Sequence, residues 1–157
     1  MTCSLCIPNP HTTKLWEDDF CRVVLLHDAD YPAYCRVELL AHVKEMTDLA
    51  PNERARMMKT VFAVETAMRA VIQPDKINLA SLGNKTPHVH WHIIPRFSDD
   101  KHFPNSHWGE IIRPSASTNA ALQGTDNQTN KHALSEASQQ LLQNNIKTHI
   151  ECALKSD

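Results

Sequence analysis

The chain has 157 residues, 41% of them apolar and 22% charged, with a net charge of −2. That length suits one domain with its own core, or one domain with a tail, and needs no disulfide or metal staple. The near-neutral balance gives no basic field for nucleic acid and no polybasic membrane patch, and the three glycines, Gly83, Gly109 and Gly124, lie too far apart for a glycine-rich nucleotide loop.

The N-terminus, MTCSLCIPNPH, has no basic start followed by an apolar run, and no stretch approaches the length of a membrane-spanning helix. Cys3, Cys6, Cys21, Cys35 and Cys152 are odd in number and irregular in spacing, which is not a disulfide framework; the expectation is reduced thiols in the cytoplasm. Residues 20–27, FCRVVLLH, read as a strand, and 34–40, YCRVELL, as a second strand antiparallel to it. Pro51 opens a helix. Met57, Met58, Val61, Val64, Met68, Val71 and Ile72 form its apolar stripe, and Pro74-Asp75 stops it. Residues 76–82 read as a third strand, Gly83-Asn84 as a turn, and HVHWHIIP as a fourth strand ended by Pro95. The chain is then irregular, with His102 and His107 beside Phe103 and Trp108 in what reads as a packed loop, although either aromatic offers a face to a base. Residues 114–130 are small and polar and read as a linker. Residues 131–154 carry a helical stripe of Leu134, Ala137, Leu141, Leu142, Ile146, Ile150, Ala153 and Leu154, for docking on the body or on a second subunit. The organisation is therefore a domain over 1–113, a linker over 114–130 and an amphipathic helix in 131–157.

The chemistry rests on His88-Val89-His90-Trp91-His92-Ile93-Ile94. On a strand, alternate side chains share a face, so the three histidines face one way and Val89, Trp91 and Ile93 the other. His88 and His92 are then roughly 13 Å apart at the Cα, too far for one undistorted strand to hold a single metal with all three rings. Neutral imidazole is a usable nucleophile near pH 7. A central histidine flanked by polar neighbours suits a phosphorus electrophile, whose oxygens accept N–H donors. A plain metal site on two of the histidines remains as a second reading.

The motif, complete as HVHWHIIPR, resembles that of the histidine triad (HIT) superfamily, and the resemblance covers roughly residues 3–96 in order. The stretches LWEDDFCRVVLL and YPAYCRVELLAHVKEMTDL further resemble a diadenosine-tetraphosphate-hydrolase-like bacterial subgroup. The resemblance implies an α+β fold with a five-stranded antiparallel sheet and a long helix, usually homodimeric. It implies hydrolysis or nucleotidyl transfer at the α-phosphate of a purine nucleotide or dinucleotide, through a nucleotidyl-histidine on His90, with no cofactor needed for the chemistry. His92 would contact phosphate oxygens and His88 would orient the site. Gly83 and Asn84 match phosphate contacts, Asn78 a phosphate or ribose contact, and Asp28 matches the acid that accepts ribose hydroxyls, or is simply a turn aspartate. Lys85 stands where a hydroxyl residue is common, and Ala33-Tyr34 where the family often has Gly-His. In zinc-containing members the ligands would correspond to Cys3, Cys6, His42 and His88, a closed structural site. The expected partner is a small-molecule nucleotide, with neither nucleic acid nor membrane. The alternatives are a metal-dependent hydrolase built on triad histidines and a non-catalytic nucleotide-binding protein.

Overall fold

The computed structural model describes residues 3–7, 9–113 and 132–155. Five strands form one antiparallel sheet in the order β1-β2-β3-β5-β4. They are β1 (Thr12–Glu17), β2 (Cys21–Leu26), β3 (Cys35–Leu39), β4 (Lys76–Ala80) and β5 (His90–Arg96); α1 (Pro51–Ile72) links β3 to β4, and α2 (Glu136–Lys155) ends the described chain. The α+β architecture expected of the sequence is the one observed. Residues 114–130, read as a linker, lie outside the described residues.

Both helices cover the same side of the sheet. Met57, Val61, Val64 and Met68 recur at helical spacing and are fully buried, against Val23, Val37 and Ile93 from alternate positions of β2, β3 and β5. Glu53 accepts the Ala50 N–H at 2.7 Å, Pro51 occupies the first turn, and Gln73 ends the helix in a left-handed conformation (φ 52°) just before Pro74. Leu142, Ile146 and Ile150 of α2 join the same core, and α2 packs on α1 and β1. Leu141, placed in the stripe by spacing, is instead half exposed: 100° per residue carries it past the edge of the buried face. Among the described residues no helix is long and apolar enough to cross a membrane.

Two local readings are corrected. The sequence alone does not mark residues 12–17 as a strand, because the register shifts between Lys14 and Trp16 and the bulge breaks the alternation that marks one. The triad strand begins at His90, two residues later than expected. His88 N–H bonds back to Thr86 O at 2.9 Å and Val89 N–H reaches Val43 O at 2.8 Å, so His88 lies in the approach to β5. The sheet face opposite the helices carries Arg22, Arg36, Glu38, His90 and His92, with Tyr31, Tyr34 and Ile94 as a second small cluster.

Candidate functional site

β5 presents His90 and His92 side by side, with ring centroids 4.9 Å apart and planes at 81°. Glu38 and Arg36 lie opposite them on β3, and Ala80 lies opposite His92 on β4. The His90 Nδ1 stands 2.6 Å from the carbonyl oxygen of His88. A carbonyl only accepts, so Nδ1 carries the hydrogen and Nε2 holds the free lone pair. His90 is only 6% exposed, and burial holds its pKa below the ordinary imidazole value. His92 Nδ1 meets the Tyr34 hydroxyl at 2.6 Å. Burial first, then the His90 and Arg36 charges, press its pKa down to about 3. Both rings are neutral at pH 7.

His88 diverges from its two companions. Its Nε2 donates to Leu39 O at 2.7 Å, which leaves Nδ1 as an acceptor. That atom faces Cys3 Sγ at 3.4 Å, Cys6 Sγ at 3.6 Å and His42 Nδ1 at 3.2 Å, while Cys6 Sγ lies 3.4 Å from His42 Nδ1. The four donor atoms all lie within 4.8 Å of one another, a cluster that could hold a metal ion. The resemblance singled out these four residues, and the fold brings all of them together. Two of the other thiols behave differently: Cys21 and Cys35 are sealed in the core, and burial pushes both up to about 12.

Sequence reasoning missed a buried ion network on the triad face. Glu38, 2% exposed, accepts from Arg22 Nε at 2.6 Å and Arg36 Nε at 2.6 Å, and Arg22 Nη2 donates to Leu5 O at 2.7 Å. This ties the N-terminal turn to the sheet and leaves one net positive charge beside the histidines. The alternation Tyr34, Arg36, Glu38 was legible as one face, but what it faces was not.

The other expected residues arrive by separate routes. Asp28 accepts Asp30 N–H at 2.9 Å and Tyr31 N–H at 3.1 Å through Oδ1, as a turn aspartate does, and also lines a cavity of about 350 Å³. Ala33 follows Pro32 with φ 66°, a conformation that explains why glycine suits the position, and Tyr34 N–H closes the turn on Tyr31 O at 3.2 Å. Gly83 and Asn84 are exposed in the β4–β5 loop, whose start is anchored by Ser81 Oγ on His90 O at 2.9 Å. A Cβ on Gly83 would meet nothing nearer than 3.9 Å, so the fold itself does not require glycine there. Lys85 is exposed in the same loop.

Asn78 Oδ1 accepts from Arg96 Nη1 at 2.6 Å. Arg96 is the hub of the loop beyond β5. It grips Asp100 through Nε at 2.6 Å and Nη2 at 3.0 Å, and Asp100 also receives the N–H groups of His102 and Phe103. The reading of a packed loop holds for His102, which is buried and bonded to Tyr31. Trp108 departs from it: half exposed, it stands edge-on to His92 at 5.2 Å, over a groove of about 430 Å³ that Asn78 also lines.

Comparison with known proteins accords with this geometry. The chain is similar in fold to a histidine triad protein from Bradyrhizobium japonicum (23% identity, 89% of this chain and 91% of that one, TM-score 0.65). It is also similar to a histidine triad protein from Marinobacter aquaeolei (23%, 91% of each chain, 0.64) and a Zn-bound histidine triad family protein from Mycobacterium smegmatis (17%, 96% and 97%, 0.58). No curated protein matches significantly. The family model for the HIT domain matches residues 8–99, more than half of the sequence and the whole of the five-stranded sheet, and the chain therefore belongs to the HIT domain family.

Proposed function

We propose that the protein is a nucleotide hydrolase or nucleotidyl transferase that works at the α-phosphate of a purine nucleotide, with His90 as nucleophile. The observation that carries this reading is the 2.6 Å bond from His90 Nδ1 to His88 O, which leaves Nε2 neutral and unprotonated. Nε2 attacks the α-phosphorus; the N–P bond forms, the bond to the leaving group breaks, and the departing group takes a proton from solvent. Water then attacks the same phosphorus, the N–P bond breaks, a proton returns to solvent and the nucleoside monophosphate leaves. With Tyr34 donating to His92 Nδ1, His92 presents Nε2–H to a phosphate oxygen, and Arg36, across the strand from it, adds positive charge. Asn78, Gly83 and Asn84 contact the phosphate; Gly83 suits close approach because no protein atom crowds its Cβ position. Asp28 accepts the ribose hydroxyls. Diadenosine tetraphosphate, named by the subgroup resemblance, is one substrate of this class to assay.

The Cys3, Cys6, His42 and His88 cluster fits structural zinc. Tetrahedral zinc with ordinary bond lengths sets N···N edges of about 3.3 Å and N···S edges of about 3.6 Å, and the corresponding separations here are 3.2 Å and 3.4 to 3.6 Å. A closed four-donor set keeps no position for substrate, so its contribution is to hold His88 and the N-terminal turn. The same reading carries a cytoplasmic homodimer, for which light scattering should give twice the chain mass.

The test is mass spectrometry of protein quenched during turnover of an adenosine phosphoramidate or diadenosine tetraphosphate. An adenylyl group on His90 is expected. The His90→Ala chain should melt near the parent temperature and lose at least about a thousandfold in kcat; turnover that survives the substitution defeats the mechanism.

A further inference from the structure

The cavity that Asp28 lines has two walls of different origin. One is the end of the β2–β3 hairpin, with Leu26, Asp28 and Pro32; the other is Ala133, Leu134 and Gln139. The second wall lies wholly outside residues 8–99, the part that the family model describes. It is held in place by its own contacts. His132 stacks on Phe97 with centroids 3.6 Å apart and planes at 9°, and its Nε2 lies 3.2 Å from Asp99 Oδ1. Ser135 Oγ accepts the Ser138 N–H at 3.1 Å and so starts α2 one turn before Gln139, whose N–H meets Ser135 O at 2.9 Å. Gln143 Nε2 donates to Leu15 O at 3.0 Å and fixes the next turn to β1.

The chemistry of the slot is that of a flat apolar ring joined to a pair of hydroxyls. Leu26, Pro32, Ala133 and Leu134 are apolar. Asp28 Oδ1 is committed to its turn, so a hydroxyl pair is accepted by Oδ2. Gln139 brings one amide, which offers a donor and an acceptor together, the pairing that reads adenine at N7 and N6. The size of about 350 Å³ suits one nucleoside. Leu26 joins the slot to the triad face: it lines the slot and packs against the cluster of Tyr31, Tyr34 and Ile94, in which Tyr34 holds His92.

We propose that the segment 132–139 is a specificity element, in which Leu134 closes the nucleoside slot and the Gln139 amide selects an adenine base. This rests on the nucleotide reading of the site, and it assigns to residues beyond the family domain the choice of base. A slot built by the hairpin alone would be open on one side and would hold a base by its faces only, with little discrimination.

The experiment titrates adenosine 5′-monophosphate and cytidine 5′-monophosphate into the full chain by calorimetry, for the parent, Gln139→Leu, Gln139→Asn and Leu134→Ala, with melting curves to verify folding. The parent is expected to favour the adenine nucleotide about tenfold or more. Gln139→Leu should abolish that ratio, Gln139→Asn should retain part of it, and Leu134→Ala should weaken both ligands alike. A ratio unmoved by Gln139→Leu, or no nucleotide binding by the parent, overturns the assignment. Base selection through Gln139 with no adduct on His90 would instead overturn the reaction and leave the specificity element standing.

Discussion

Two carbonyl oxygens decide what the neighbouring histidines can do. Leu39 O holds the hydrogen of His88 on Nε2 and turns Nδ1 toward the thiols; His88 O holds the hydrogen of His90 on Nδ1 and frees Nε2. Neither tautomer follows from residue type, so His-φ-His alone does not distinguish a ligand from a nucleophile. Burial then sets the charge. In the proposed mechanism His90 acts when neutral, and its pKa lies below the ordinary 6.5. The acid limb of kcat/KM should therefore be centred below 6.5; a limb centred at or above 6.5 would refute this. Stability follows the same sign. Folded His90 and His92 resist protonation, so below about 6.5 the unfolded chain binds more protons, and the stability that the pair contributes at neutral pH is lost as pH falls toward 3.

At the scale of elements, one residue in the approach to β5 links that strand to the N-terminal turn. His88 gives its ring to the cysteine cluster and its carbonyl to His90. Anything that fixes the ring also fixes His90, the proposed nucleophile, two residues on. Protein purified without chelator should contain about one zinc per chain. Stripping the metal should lower the melting temperature by several degrees and kcat/KM by about tenfold, with recovery on adding zinc. Protein that carries no zinc and is equally stable and active would remove the metal from the account. The cluster was legible only through resemblance, because Cys3 and Cys6 are separated from His42 and His88 by tens of residues and C-x-x-C by itself has several readings. The Arg22–Glu38–Arg36 network was not legible at all: outward alternation on a strand normally means solvent, and here it meets the N-terminal turn.

At the scale of the molecule, one core joins α1, α2 and the inner face of the sheet. Helix α2 is thus a structural layer as well as a wall of the cavity that Asp28 lines. Ile146 is fully buried in that layer, and Ile146→Ala should cost about 2–5 kcal/mol in urea denaturation. Leu141→Ala, at a half-exposed position beside the same core, should stay within about 0.5 kcal/mol. Equal losses at the two sites would mean that α2 docks by a different face.

The strands with clean alternation, the stripe of α1 and the position of α2 were all determined by local sequence, since each element buries one face and the spacing of apolar residues declares which. The motif likewise determined the family and named His90, a property of a run of nine residues. Tertiary structure decided the rest: that His88 leaves the strand for the thiols, that Tyr34 takes hold of His92, that Glu38 sits between two arginines, and that residues beyond position 130 wall the cavity of Asp28. The physical reason is distance along the chain. Tautomers, ion pairs and cavity walls depend on partners brought together by folding, and periodicity speaks only of neighbours.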